Sequence, residues 1–348
     1  MSHPHFPFWV NSEPEGSVND AELAIHPRLT RVGLNLKSPT RAKWDLDGKI
    51  EIDFQNGGKE SRSLIRMRHA YGQLKIGAFE ILFGQTSDLI SPLYPSANND
   101  GMMWNAGNTG DRRAQVRFTA RPRVGEKGHL RFAFAVGEPN AVNNQDLDAN
   151  GRRDGLDASV PITEALAEYA SPLRRDGKTM IVGASAHVAV DRVHANTGAP
   201  TDASAFAEST DFLGYSVGGH LQVPLTQRVW LSGEAFYGQN LSDVRGGIGQ
   251  GINVTDAREV RSAGGWGELG VQAMEKWSIH AGGSVDNPVD DDLEDGDRSL
   301  NWAAFLVHRF RPHPALGFAV EYLHWVTTYK NAVSGTANHV NLWAAFYF

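Results

Sequence analysis

After residue 28 the chain repeats one pattern about fifteen times: a segment of about 9–13 residues in which apolar and polar side chains alternate. The clearest segment is AKWDLDGKIEIDF at residues 42–54, where every even position is apolar or glycine and every odd position is charged. Side chains of a strand point alternately to its two faces, so each segment has one apolar and one polar face. A tilted strand needs about 9–11 residues to cross a bilayer, whereas strands of soluble proteins average about 5–6. The pattern therefore predicts membrane-crossing strands.

The connections between these segments alternate between short and long. Short connections include KSPT, LRRDG, PLTQ, MEK and RPHP. The long connections cover residues 55–63, 87–112, 138–160, 191–210, 240–261, 286–298 and 327–338. Tight turns at one end and long loops at the other are typical of outer-membrane barrels. We therefore predict that residues 1–348 form one all-β domain, a transmembrane antiparallel β-barrel of about 16 strands with short periplasmic turns and long external loops.

The two ends of the chain have to pair if such a barrel closes. The last segment, HVNLWAAFYF, ends at the short-turn side, and so does the segment at 29–37, so one ascending strand should come before residue 29. The only apolar run among residues 1–20 is FPFWV, and Pro4 and Pro7 disfavour a regular strand there. We therefore predict a poorly defined N-terminal segment at 1–20 with a short or truncated first strand, which pairs with the C-terminal strand and removes the exposed edge.

Composition and charge exclude several classes of protein. The chain has 33 Lys and Arg against 40 Asp and Glu, a net charge of −7, which argues against a nucleic-acid partner. It has no cysteine, which suits an oxidising envelope compartment. No run of 18 apolar residues predicts a transmembrane helix. The first ten residues lack the basic start and apolar core of a signal peptide, so the leader of an exported chain is expected to lie outside this sequence.

Five motifs in one order resemble the DcaP-like porins of bacterial outer membranes. They are RVGLNLKSPT, GKIEIDF, RMRHAYG, ILFGQTSDL and GNTGDRRAQVRF, all within residues 28–137. The resemblance implies a homotrimeric sixteen-stranded channel in the outer membrane, surrounded by lipid, that passes small, often anionic, solutes. It also implies that the aromatic C-terminal strand ending at Phe348 is recognised by the barrel insertion machinery. A channel of this kind requires no cofactor.

Charged side chains on the polar strand faces are the candidate pore-lining residues. Six are arginines: Arg31, Arg66, Arg68, Arg113, Arg117 and Arg131. Guanidinium groups bind carboxylates through paired hydrogen bonds, so a ladder of them in the lumen would favour anions. The neighbouring segment contributes four acids to the same face: Asp45, Asp47, Glu51 and Asp53. The alternative is that the arginines pair with these acids and brace the wall, and the sequence leaves both roles open.

The resemblance to porins implies that the long connection at residues 87–112 folds into the lumen and narrows it, so we call it the constriction loop. Its apolar residues, such as Leu89, Met103 and Trp104, would pack against the inner wall. Its polar residues would face the pore or support the loop, and the candidates are Asp88, Asn98, Asn99 and Asp100. The alternative is a loop that lies outside, on its neighbours or on another subunit.

The segment NQDLDANGRRDGLDA contains the sharpest local motif. Its D-x-D-x-N-G spacing, followed by acids at the ninth and twelfth positions, matches the calcium loop of an EF-hand, with Gly151 at the sharp turn. The candidate ligands are Asp146, Asp148, Asn150, Arg152 through its carbonyl, Asp154 and Asp157. Aspartate in place of glutamate at the twelfth position, and the lack of predicted flanking helices, leave a solvated acidic loop as the alternative.

These observations favour a non-enzymatic porin for passive diffusion of small hydrophilic solutes, with a preference for anions and carboxylates. A non-conducting structural or adhesion barrel, or a soluble β protein, is the main alternative. A barrel hydrolase is the other, but Ser185 with His187, or Ser216 with His220, are the only suggestive pairs, and no G-x-S-x-G motif is present.

Overall fold

The computed structural model describes residues 7–17, 21–38, 44–57, 63–97, 101–173, 178–195 and 208–348. Its regular structure is almost entirely β-strand. Fifteen long strands are described: β1 (Val32–Lys37), β2 (Asp45–Gly57), β3 (Ser63–Ile76), β4 (Phe79–Ser87), β5 (Arg112–Ala120), β7 (Gly128–Gly137), β8 (Ile162–Pro172), β9 (Thr179–Val193), β10 (Thr210–Pro224), β11 (Val229–Gln239), β14 (Arg261–Met274), β15 (Trp277–Pro288), β16 (Arg298–His313), β17 (Leu316–Tyr329) and β18 (Ala332–Phe346).

Short elements lie in the connections. Three strands have two residues each: β6 (Arg123–Val124), β12 (Ile252–Asn253) and β13 (Arg258–Glu259). One helical turn, α1, spans Asp154–Asp157, and single 3₁₀ turns span Ser242–Val244, Gly247–Gly249 and Asp290–Asp292. In the described part of the chain, no helix is long and apolar enough to cross a membrane.

The long strands pair antiparallel in chain order, from β1 at one end of the sheet to β18 at the other. β6 extends the hairpin with β7, and β12 pairs with β13 in a separate small sheet. This up-and-down order follows from the sequence pattern, because each short or long connection joins neighbouring antiparallel strands.

The two faces of the sheet are inverted relative to a soluble protein. The outward face of β18 presents Val340, Leu342 and Phe346, which are 64%, 69% and 73% exposed. On the inner face, polar side chains such as Glu321 and Asn301 are fully buried. A soluble sheet would bury the apolar face, so this arrangement requires an apolar medium outside.

A β-bulge in β3 changes the predicted alternation. Residues pair in register up to Glu51 with His69, but Ile52 then pairs with Met67, which leaves Arg68 as the extra residue. A bulge places two consecutive side chains on one face, so Arg68 and His69 both face the inner side of the sheet. After the bulge the inward-facing positions are therefore odd-numbered instead of even-numbered. Uninterrupted alternation along this strand would put Ala70 and Gly72 on the face of Arg66 and Arg68, but the bulge places them on the opposite face.

The last predicted long loop, at 327–338, is a two-residue turn. β17 continues to Tyr329 and β18 begins at Ala332, so only Lys330 and Asn331 lie between them. Asn331 adopts a φ of +51°, a left-handed conformation that asparagine tolerates better than most residues. The small and polar residues after Asn331 belong to β18, because their pairing with β17 holds them in the sheet.

The N-terminal segment does not form the predicted first wall strand within residues 7–17. These residues have no regular secondary structure, while residues 1–6 and 18–20 lie outside the described part. Val10 is 2% exposed and packs in a cluster with Leu323 and Trp325, which are on the inner face of β17. Residues 7–12 therefore lie against the inner face of the sheet and are not one of its strands.

Candidate functional site

The constriction loop runs along the inner face of the sheet. Three buried or largely buried glutamates on different strands accept hydrogen bonds from it: Leu89 N donates to Glu164 Oε2 at 2.6 Å, Leu93 N to Glu234 Oε1 at 2.7 Å, and Ser96 N to Glu268 Oε2 at 2.7 Å. These glutamates come from β8, β11 and β14, so the sheet curves around the loop.

Apolar contacts hold the same loop against the wall. Leu89 packs in a cluster with Leu166 of β8, and Met103 packs in a cluster with Phe305 and Trp325 of β16 and β17. All five side chains are buried. The infolded position buries apolar surface that an external loop would leave exposed to water.

Arg113 and Asp88 form a buried brace beneath the constriction loop. Arg113 is 2% exposed, and its Nε donates to Asp88 Oδ1 at 2.9 Å while Nη1 donates to Asp243 Oδ2 at 2.7 Å. Arg113 also donates to the carbonyl oxygens of Glu138 and Asp243. The prediction that Arg113 lines the pore was wrong, because the loop folds over it and removes it from water.

Four charged residues on β2 and β3 form a compact cluster. Arg66 makes two hydrogen bonds to Asp53, at 2.9 and 2.7 Å. Arg68 bridges Glu51 and Asp53 at 2.7 and 2.8 Å. Asp53 is fully buried by these contacts, whereas the side chain of Arg66 stays 28% exposed. The acids therefore pair with the arginines and brace the wall, which is the second of the two roles that the sequence left open. Arg66 nevertheless remains in contact with water.

The other predicted pore-lining residues differ in how far a neighbouring opposite charge neutralises them. Arg31 and Asp45 are exposed, and Asp47 pairs with Lys75 at 2.5 Å. Arg131 lies 3.6 Å from Glu168 and is partly exposed.

Arg117 carries a charge without a matching acid. It donates to Gln115 Oε1 at 3.0 and 2.8 Å and to the carbonyl oxygen of Ser87. Both acceptors are neutral, and among the described residues no carboxylate forms an ion pair with it. Arg117 therefore adds positive charge to this side of the interior.

Three of the predicted constriction-loop residues, Asn98, Asn99 and Asp100, lie outside the described part of the chain. The described segment nearest to them ends at Ala97, which is buried against the inner wall with Met103.

Sequence reasoning missed the glutamates that fasten the loop. Glu164, Glu234 and Glu268 were not singled out, although each is a buried acid on the inner face of its strand. Glu234 and Glu268 are each the only acid in a strand of mostly small or apolar residues, and this was the available signal. Its partner could not be inferred, because Glu268 and Ser96 are 172 positions apart in the chain.

The predicted calcium loop has a backbone wrapped around its first acid. The amides of Asn150 and Gly151 donate to Asp146 at 3.1 and 3.0 Å, and Gly151 has a φ of +86°. Carboxylate oxygens of Asp146, Asp148 and Asp154 lie within 4.8 Å of one another. Burial raises the pKa of Asp154 to about 7, so a nearby cation would offset the cost of ionising it.

The other predicted ligands are arranged differently. Asn150 Nδ2 donates to Asp157 Oδ2 at 2.6 Å, and Asn150 Oδ1 accepts from the amide of Arg152 at 2.8 Å. Asp157 instead lies in a second group with Asp148 and His194. The sequence did not suggest His194 as a neighbour of this loop.

Comparisons with known proteins agree with this architecture. No protein-family model matches the chain, and no curated protein matches it. The solved outer membrane channel DcaP of Acinetobacter baumannii is 18% identical, with a TM-score of 0.70 over 96% of this chain and 89% of that chain. An anion-selective porin from Comamonas acidovorans is 11% identical, with a TM-score of 0.55 over 91% and 89%. OmpT, an outer membrane protein of Vibrio cholerae solved in a trimer form, is 12% identical, with a TM-score of 0.54 over 91% of each chain.

These likenesses show the fold of this chain. It is the antiparallel β-barrel of outer-membrane porins, so the fold class predicted from the alternation is confirmed, and the resemblance to DcaP-like porins agrees with it.

Proposed function

We propose that this chain is a porin of the bacterial outer membrane through which small hydrophilic solutes diffuse passively. The observation that carries the proposal is the constriction loop, which three wall glutamates hold inside a barrel with a charged interior. A barrel of about sixteen strands encloses more space than its wall side chains can fill. An infolded loop then narrows an aqueous path without closing it.

Conductance in a planar bilayer tests the proposal directly. The protein is first shown to be folded, by β-type circular dichroism in detergent and by different gel mobility before and after boiling, because closed strand ladders resist detergent. We expect stepwise increases in current as single channels insert. Folded protein that gives no current would favour the structural or adhesion alternative, and a helical spectrum would contradict the barrel itself.

We further propose a preference for anions, especially carboxylates. Arg66 reaches water while paired, and Arg117 has only neutral acceptors. Arg31, which immediately precedes β1, is exposed on the neighbouring part of the interior. A permeating ion responds to the charges beside the narrow zone more than to the net charge of −7, because external charges farther than about 8 Å are largely screened at physiological salt. The structural similarity to an anion-selective porin supports the same sign.

The outer surface and the similarity to a trimeric protein support a membrane-embedded homotrimer. Lipid would cover the exposed apolar face, and Phe348, exposed beyond the end of β18, would be free for recognition during insertion. We expect native mass spectrometry in mild detergent to detect three chains. A stable monomer would contradict the assembly but leave the channel proposal intact.

No catalytic role is proposed. His187 Nδ1 lies 2.6 Å from Ser216 Oγ, a serine–histidine contact that a hydrolase would need. Both side chains are buried on the inner wall, so a substrate could not reach them without rearrangement of the wall.

We also propose that calcium orders the loop at 146–157. Replacing Asp146 and Asp148 together by alanine should remove one bound calcium per chain while the barrel stays folded, because these acids supply converging oxygens outside the sheet. Calcium content of the purified protein, measured by mass spectrometry, checks this. The matched control replaces Asp290 and Asp291, two acids of another external loop, and should keep the ion. Equal calcium content in the first variant and the parent protein would end the proposal.

A further inference from the structure

Residues 7–12, which we call the N-terminal strap, lie inside the barrel beside the constriction loop. The amide of Val10 donates to Thr327 Oγ1 at 2.8 Å, and its carbonyl accepts from Tyr329 Oη at 2.7 Å. Ser12 Oγ donates to the carbonyl oxygen of Val333 at 2.6 Å. These contacts fix three successive points of the strap to the inner side of β17 and β18.

One wall side chain binds the strap and the constriction loop together. Asn301 Nδ2 donates to the carbonyl oxygens of Phe8 and of Asn105, each at 2.7 Å. Asn301 Oδ1 accepts from Thr327 Oγ1 at 2.9 Å, and both side chains are fully buried. Removing the strap would leave part of this buried hydrogen-bonding group without a partner.

Aromatic and apolar contacts join the same two segments. The guanidinium carbon of Arg245 lies 5.4 Å from the ring centre of Phe8 and 5.0 Å from that of Trp104, so one cation lies near rings of both segments. Val10 shares an apolar cluster with Met103 and Ala106 of the constriction loop. The strap therefore packs against both the loop and the inner wall.

We infer that the N-terminal strap seats the constriction loop and thereby sets the width and steadiness of the permeation path. The inference rests on the proposed channel function. Val10 acts as a positioning residue, since it fills a buried site between the loop and the wall. The loop's hydrogen bonds to the wall glutamates hold its first half. The strap packs against the second half, where Val10 lies in one cluster with Met103, and the wall residue Asn301 bonds to Phe8 of the strap and to Asn105 of the loop.

Val10→Asp tests the inference, because a carboxylate in this apolar cluster should expel the strap. We expect a larger and noisier single-channel conductance than wild type, with the barrel still heat-modifiable on gels. Glu15→Gln is the control, because Glu15 is exposed and lies just beyond the strap. This variant should have the same conductance as wild type. A folded Val10→Asp channel with wild-type conductance would overturn the inference. If this variant does not fold, Val10→Ala replaces it with the same expectation.

A disulfide tether separates positioning from a general structural effect. The chain has no cysteine, so Ser12→Cys with Val333→Cys introduces a unique pair at a point of close contact. In the Val10 variant, oxidation should restore steady wild-type conductance and reduction should remove it; no difference between the two states would contradict the inference. Disulfide formation in the folded protein also tests the position of the strap if the wild-type protein does not conduct. If the disulfide does not form, the inference that the strap seats the constriction loop is overturned. If it forms but no current is measured, only the proposed channel function is refuted.

Discussion

Replacing Arg66 and Arg68 together by alanine is expected to move the reversal potential under a salt gradient toward cations. The cluster of Arg66, Arg68, Glu51 and Asp53 has two positive and two negative charges, so its net charge is zero. The double variant would leave the two acids and a net charge of minus two there. Because the change lies on the inner wall, screening by salt reduces it less than it would on an external loop. The measurement is the zero-current potential in a planar bilayer with unequal salt on the two sides.

Lysine at both positions is the matched control. It keeps both charges but loses the paired hydrogen bonds to Asp53, so selectivity should stay near that of wild type while the wall loses some stability. Arg117→Ala should move the potential in the same direction as the double alanine variant, since Arg117 has no carboxylate to release. An unchanged reversal potential in the double alanine variant would show that these arginines only brace the wall.

Arg113→Ala is expected to cause the largest loss of stability of any single arginine change on the inner wall. It would leave Asp88 and Asp243 buried without their cation, and breaking a buried ion pair in this way typically costs about 3–5 kcal/mol. The constriction loop should loosen as well, because Asp88 begins it. The checks are the temperature at which unboiled protein loses its folded gel mobility and the denaturation midpoint in detergent.

Arg117→Ala tests whether this loss is specific to the buried brace. Arg117 lies four residues further along the same face of β5 but is not held by acids, so the midpoint should change little. Adding Asp88→Asn and Asp243→Asn to the Arg113 variant should recover part of the stability, because the uncompensated charges are then removed. Equal midpoints for Arg113→Ala and wild type would contradict the account of the brace.

Features with a local cause could be predicted from the sequence alone. Alternation along each segment fixed which residues face outward, as the exposed Val340 and Leu342 of β18 show. It also placed Arg66 and Arg68 on the inner face of β3, since a side chain's face follows from its position in the strand. The acidic spacing at 146–157 predicted a turn that wraps around Asp146, because its hydrogen bonds join residues at most five positions apart.

Features that depend on distant residues were decided by the tertiary structure. Arg113 was predicted to line the pore and contact water. In the structure it pairs with Asp243, which is 130 positions away, and the constriction loop covers it, so that it forms a buried brace. The bulge at Arg68 reversed the alternation because two strands had to keep their pairing on both sides of it. FPFWV was expected in the wall, yet Val10 binds Thr327, 317 positions away, inside the barrel. No local pattern encodes such contacts, since they form only when the curved sheet brings its inner faces together.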